Sequence, residues 1–388
     1  MTLWIQHGYG KSDKIERLAA ARVITGVILS PSDEEAPSLQ ATVSHCRTLG
    51  LEIVLDPQTY VYTIPEGAAS RHGSHGLDFG PIHWSIAPGD VQSQVESVVR
   101  ANEDLGITGP ILAPTCLQRG FGDVWTPLAI QYARTAVAAA AGRDVYVSVA
   151  IDEGGLTDWN PIEGWLDLVT TLEARGFYIV IARASSDYPY SWDAGRLCNV
   201  LRLMYRLAAL NEYDVLWGYA DLEGLLGLAA GCMAIGSGWH HGLRLFSERK
   251  WQPSPSVQRQ PVPRVTSSSL LTPLRAVGEA DAILTSPDAA AAFPNDELRT
   301  RLSGGGAVGW TRPESQMQHL LLLGELSEQV VADGDIGGRI ARVQGWLSDA
   351  RGMFSGLQTL GVVLPTAYRA RLDALLLALD SFAAAEGL

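Results

Sequence analysis

The stretch Asp214-Val-Leu-Trp217-Gly-Tyr-Ala-Asp221-Leu222-Glu-Gly-Leu-Leu-Gly-Leu-Ala-Ala230-Gly231-Cys232-Met-Ala-Ile-Gly236 decides the fold. Residues 214–217 and 232–236 are short apolar runs of strand type. Residues 222–230 are rich in Leu and Ala without alternation, which predicts a helix between them. Strand, polar turn, helix and strand in immediate succession is the repeating unit of a parallel sheet covered by helices.

The unit recurs toward the amino terminus. Further strands are predicted at 3–7, 26–30, 51–56, 110–114, 145–151 and 177–182. Helices are predicted at 12–21, 39–49, 91–105, 127–141, 162–175 and 196–210. Eight such units in about 250 residues match the usual size of a (β/α)8 TIM barrel, expected here over residues 1–252. A doubly wound open sheet is the alternative, but no G-x-G-x-x-G follows the first strand and the unit count is high for it. The loop 60–88 is long for a compact domain and carries His72, His75, His83 and Trp84, which makes it a candidate functional loop.

Residues 253–267, rich in Pro, Ser and Gln, break all periodicity and read as a linker. A mainly helical C-terminal domain is expected over 268–388, with amphipathic helices at 313–332, 336–360 and 365–385 and Pro365 at a first helical position. Their stripes (Leu320, Leu321, Leu323; Ile340, Val343, Leu347; Leu372, Leu375, Leu376, Leu379) need a partner surface. A bundle docked on the barrel supplies one; a protein partner or a homo-oligomer is the other reading.

With 47% hydrophobic and 18% charged residues, the chain is composed to bury a large core rather than to stay disordered. Its formal net charge of −13 opposes nonspecific attraction to nucleic acid or an anionic membrane. Met1 to His7 carry no basic or apolar leader pattern and no apolar run reaches membrane-spanning length, so a cytoplasmic location is expected. Cys46, Cys116, Cys198 and Cys232 are scattered without zinc or iron–sulfur spacing, and no cofactor is implied. Lys11, Lys14 and Lys250 are the only lysines, and none falls in a later barrel strand, which argues against Schiff-base chemistry there.

In such a barrel the active site lies at the C-terminal ends of the strands. That rule selects Gln6 and His7 after the first strand, Ser30 after the second, Asp56 and Gln58 after the third, Thr115 and Cys116 after the fourth, Asp152 and Glu153 after the fifth, and Arg183 and Asp187 after the sixth. Tyr219 and Asp221 follow the seventh, and Ser237, Trp239, His240 and His241 the eighth. Asp152, Glu153, Asp56 and Asp221 are the candidate catalytic carboxylates. Converging acids supply the acid and base, or acid and nucleophile, of glycosidic chemistry. His7, Gln58, Arg183, Tyr219, Ser237, Trp239 and His240 are candidate substrate contacts: Arg183 for an anion, Trp239 for stacking, and the backbone around Gly236-Ser237-Gly238 as an anion cradle. Asp152-Glu153-Gly154-Gly155 is the strongest motif, because a Gly pair lets backbone approach a ligand. Asp56 before Pro57 also fits a turn cap, and Asp221 a helix N-cap. His7 with one of His240 or His241 and an aspartate is a possible metal-dependent hydrolase set, although no H-x-H or H-E-x-x-H motif is present.

The run from Leu216 to Ile235 resembles strand seven, helix seven and strand eight of the tRNA-guanine transglycosylase barrel. Ala150-Ile151-Asp152-Glu153 resembles that family's base-recognising strand end. The resemblance implies a pocket for a planar base or nucleoside built around Asp152. The family's nucleophilic aspartate falls near Gly236 here, and its zinc-site cysteines have no counterpart, so the covalent step does not carry over. The expectation is an enzyme acting on a glycosidic or N-glycosidic, nucleoside-like substrate. A catalytically inactive barrel serving as an assembly subunit through its C-terminal helices is the second reading, and a metal-dependent hydrolase the third.

Overall fold

The computed structural model describes residues 2–64, 77, 79, 87–185, 188–252, 262–303 and 308–388. His72, His75, His83, Trp84 and Asp187 therefore lie outside the described residues, as does most of the expected linker. The sheet-forming part runs β1 (Leu3–Gln6), α1 (Lys14–Ala20), β2 (Gly26–Leu29), α2 (Ala36–Thr48), β3 (Glu52–Leu55), α3 (Pro88–Asp104), β4 (Ile111–Leu112) and β5 (Leu117–Gln118). It continues with α4 (Thr126–Ala139), β6 (Val145–Asp152), α5 (Trp159–Val169), β7 (Gly176–Ala182), α6 (Ala194–Tyr205), β8 (Asp214–Trp217), α7 (Gly224–Ala229) and β9 (Ala234–Ser237). After it come β10 (Arg264–Ser267), β11 (Thr272–Arg275), short helices α8 (Asp281–Leu284), α9 (Ala289–Ala292) and α10 (Asp296–Ser303), and long helices α11 (Arg312–Val331), α12 (Ile336–Thr359) and α13 (Thr366–Glu386).

One parallel sheet has the order β3-β2-β1-β9-β8-β7-β6-β4, with β5 also on β6. Both of its faces are buried, which is why its strands read as near-continuous apolar runs. Alternate residues feed two cores. Trp4, Ile28, Val54, Tyr146, Tyr178 and Leu216 meet on one face, while Ile5, Val27, Ile53, Val147, Phe177 and Val215 face the helices.

No ladder joins β3 to β4; side chains link those edges instead. Thr59 Oγ1 donates to Thr115 O at 2.8 Å and accepts from Thr115 N at 2.8 Å, and Leu117 N donates to Thr63 Oγ1 at 3.2 Å. Both threonines belong to a single 3-10 turn, Thr59–Thr63, that continues the chain beyond β3.

Three of the differences from expectation have a local structural cause. The fourth strand is two short pieces, because the chain leaves β6 between Leu112 and Leu117. The eighth starts at Ala234 rather than 232, since Cys232 N is spent closing the preceding helix on Gly227 O at 3.0 Å. Arg264–Ser267, expected to be linker, form an antiparallel pair with Thr272–Arg275, so the C-terminal region is not purely helical.

The long helices lie where their stripes predict, with Pro365 just before rather than inside the last one. Leu320, Leu323, Ile340, Val343, Leu347, Leu372, Leu375 and Leu379 are buried in the same core as the strands and their helices. Helix α11 packs on α7 and α1, α12 on α7, and α13 on α6. Among the described residues, no helix is long and apolar enough to cross a membrane.

Candidate functional site

Asp56 directly follows β3 at the C-terminal face of the sheet and is fully buried. Its Oδ1 accepts from Gln58 N at 3.0 Å; its Oδ2 accepts the Tyr60 hydroxyl at 2.7 Å and the Tyr178 hydroxyl at 3.0 Å. Burial pushes the carboxyl up to about 6, and the hydrogen bonds from Tyr60, Gln58 and Tyr178 offset only part of that.

Around this carboxyl the polar groups form a connected shell. Gln58 Nε2 donates to the Tyr219 hydroxyl at 2.7 Å, and Ser30 Oγ donates to Gln58 Oε1 at 2.8 Å. Gln58 and Tyr219 both hold left-handed backbone, with φ of 51° and 55°. Non-glycine residues in that region store strain that persists only where surrounding contacts enforce it. Nearby strand ends carry buried polar atoms with no hydrogen-bond partner among the described residues: Gln6 Nε2, Thr115 Oγ1 and Ser237 Oγ. Native proteins pair such atoms with solvent or ligand.

The other predicted carboxylates do not join this shell; each has partners of its own. Asp152 sits on the rim, its Oδ1 accepting from Gly154 N at 2.7 Å and its Oδ2 3.1 Å from Arg119. Arg119 also pairs with Glu248. Glu153 is buried against Arg183 Nε at 2.6 Å and accepts from Ala184 N at 2.9 Å. Arg183 in turn stacks on Trp192 at 3.5 Å, so its guanidinium is engaged by protein on two sides. Asp221 accepts from Leu222 N and lies 2.9 Å from His319 Nε2 of α11. Burial pushes the Asp221 carboxyl up, but His319, Arg244 and Arg371 outweigh it and hold it well below the carboxylate range. It is not the cap of α7, whose N-cap is Glu223.

The glycine motifs serve packing. A side chain at Gly155 would meet Gly120 Cα at 2.6 Å, and one at Gly238 would meet Leu243 Cβ at 2.5 Å and Gln6 O at 2.6 Å. These glycines admit neighbouring chain where a ligand was expected, and Ser237 is a β9 residue. Trp239 is buried with Nε1 donating to Tyr9 O at 2.9 Å. His240 is exposed and bonds Tyr9 O at 3.0 Å. His7 is buried, 3.6 Å from Glu34 and edge-on to Trp239. Burial pushes Glu34 up, yet His7 and Lys11 hold it down at about 2. Burial pushes the Cys116 thiol up to about 12, which leaves it un-ionised. Among the described residues, no three His, Cys, Asp or Glu side chains are grouped as a metal site.

Several participants escaped the sequence reading. Tyr60 falls in the 3-10 turn after β3 and Tyr178 in mid-strand, and Phe246 and Trp251 join the inner core from the segment after β9. Phe246 lies edge-on to Tyr60 and Tyr219 at 5.0 and 5.6 Å, and its carbonyl accepts from Arg183 N at 2.9 Å. The available signal was chemical: a tyrosine buried in a strand needs a hydroxyl partner, and strand-end carboxylates supply one.

No family model matches the chain, and no curated protein matches it. Among solved structures, a tetrameric deoxyribose phosphate aldolase from Aeropyrum pernix is similar at 14% identity over 58% of this chain and 93% of that one, with a TM-score of 0.30.

Proposed function

We propose that the protein is an enzyme acting on a glycosidic or N-glycosidic substrate by carboxylate acid/base chemistry at the C-terminal end of its sheet. In this reading the sheet closes as a (β/α)8 barrel across the Thr59–Thr115 and Thr63–Leu117 seam. Asp56 is the titrating group. The observation that carries the reading is its carboxyl at about 6, inside a ring of Tyr60, Tyr178 and Gln58. A carboxyl titrating near neutrality can both take and return a proton at working pH. The left-handed Gln58 and Tyr219 and the unpaired Gln6, Thr115 and Ser237 atoms support a ligand-facing role for the same shell. Asp152 is the second carboxylate, released to the substrate when Arg119 turns wholly to Glu248.

The test is release of the leaving group from a panel of aryl glycosides and nucleosides, comparing wild type with Asp56→Asn and Asp152→Asn. Turnover by the wild type that Asp56→Asn lowers at least a hundredfold, with cooperative melting retained, supports the reading. Unchanged turnover in Asp56→Asn removes Asp56 from the mechanism.

A second reading is favoured by a specific observation: Phe246, Trp251 and Leu243 occupy space at the strand ends that a substrate would use. A non-catalytic assembly subunit would keep that plug permanently. Phe246→Ala separates the two. It raises substrate affinity or turnover if the plug gates a working site, and only lowers stability if the plug is core.

A further inference from the structure

A cavity of about 570 Å³ lies between the segment after β9 and the first turn of α11. Three arginines, Arg244, Arg264 and Arg312, and three histidines, His240, His241 and His319, line it. Among the described residues, no Asp or Glu lines it. Such an excess of cations is unusual in a chain of net charge −13.

Two of the arginines are held by neutral acceptors. Arg244 is buried, with Nε donating to Gly238 O at 2.7 Å and Nη1 to the Tyr188 hydroxyl at 3.0 Å. Arg264 donates to Pro273 O at 2.8 Å and to Tyr188 O and the Tyr368 hydroxyl, both at 3.2 Å. These bonds fix the guanidinium planes; Arg244 also acts on the Asp221 carboxylate, which offsets part of its charge. Asp221 is the facing carboxylate beneath the cavity, and it is bonded to His319. His319 Nδ1 in turn lies 2.9 Å from Thr266 Oγ1. A neutral His319 donating to Asp221 and accepting from Thr266 satisfies both bonds, and burial with Arg244 nearby favours that neutral form. Burial and then Arg244 likewise push His241 down to about 3, and the ring stacks on Tyr188 at 3.8 Å. The histidines thus add donors and acceptors, while the arginines supply the charge.

Clustered guanidinium groups with fixed planes are suited to phosphate oxygens. The volume lies in the range of small-molecule sites and exceeds what a bare ion needs. The position after the last strand of a parallel sheet is where phosphate subsites of such folds occur. We propose that this cavity binds the phosphate group of a phosphorylated sugar or nucleotide, with Arg244, Arg264 and Arg312 as its anion contacts. The proposal stands independently of the reaction assigned to Asp56.

The experiment is calorimetric titration of the full chain with inorganic phosphate, ribose 5-phosphate and ribose. Phosphate binds, and ribose 5-phosphate binds at least tenfold more tightly than ribose, with affinity falling as NaCl is raised. Arg312 is exposed, so Arg312→Gln keeps the fold; it weakens ribose 5-phosphate about tenfold, the loss of one charged hydrogen bond. Arg264→Gln, checked for cooperative melting, does the same, and Asp56→Asn leaves this affinity unchanged. Ribose 5-phosphate and ribose binding alike, no binding of either phosphate, or an affinity that survives both arginine variants overturns the proposal. Loss of turnover in Asp56→Asn with phosphate binding intact keeps the two assignments distinguishable.

Discussion

Asp56 shows how a residue common at strand ends becomes unusual through its surroundings. An aspartate in the unfolded chain titrates near about 3.9, whereas in the folded protein it is pushed up to about 6 by burial. As pH falls the folded state therefore takes up this proton first. The contribution of Asp56 to stability is fully present below about pH 4 and is lost as pH rises through 6, costing on the order of 3 kcal/mol above neutrality. Asparagine carries no charge at any pH. Asp56→Asn is thus expected to melt with wild type at pH 4 and above it at pH 8, as read by thermal melts across that range. An equal difference at both pH values would show that Asp56 does not titrate in between. Among the sequence candidates, Asp56, Gln58 and Tyr219 were visible as strand-end residues, but Tyr60 and Tyr178 were not. Tyr60 and Tyr178 come from two different chain segments, and nothing in their local sequence distinguishes them from ordinary core aromatics. Asp152 and Glu153 looked stronger because of the adjacent Gly pair, yet Gly155 serves a close approach to Gly120.

Among the elements, legibility followed burial pattern. The strands that pair along their whole length, such as β6 and β7, were readable from apolar runs. The fourth was not, because its two pieces pair with β6 across an interruption. Arg264–Ser267 was hidden in Pro-rich surroundings that locally favour an extended linker. Two glycines in the long helices separate packing from propensity. Gly324 of α11 faces Val23, where a Cβ would stand 2.6 Å from Val23 Cβ and 2.9 Å from Val23 O. Gly345 of α12 is exposed, and a Cβ there would meet nothing within 4 Å. Alanine favours a helix by about 1 kcal/mol over glycine. Gly345→Ala is accordingly expected to raise the melting temperature by about 1 °C, and Gly324→Ala to lower it because the helix must withdraw from the chain ahead of β2. Denaturant titration of both variants checks this; stabilisation by Gly324→Ala would show that α11 is not tightly seated.

For the molecule as a unit, the C-terminal helices and the sheet share one core. Helices α6 and α7 bury their outer faces under α12 and α13, and Arg202 and Arg206 of the sheet-forming part pair with Glu386 at 2.8 and 2.7 Å. A chain cut after Gln252 exposes those faces and is expected to aggregate. The full chain should unfold in a single calorimetric transition. A soluble, monomeric 1–252 fragment with a cooperative melt would instead mark the helices as a separable module and shift weight to the assembly reading.

The chemistry proposed for the site turns on Asp56 being an acid/base group held near neutrality inside the ring of tyrosines. A carboxyl carbon NMR titration of the intact protein reads this directly, with the Asp56 signal assigned by its loss in Asp56→Asn. A midpoint of about 6 is expected. A midpoint at or below about 4, the range of an ordinary aspartate, would rule out a neutral-pH proton carrier at this position.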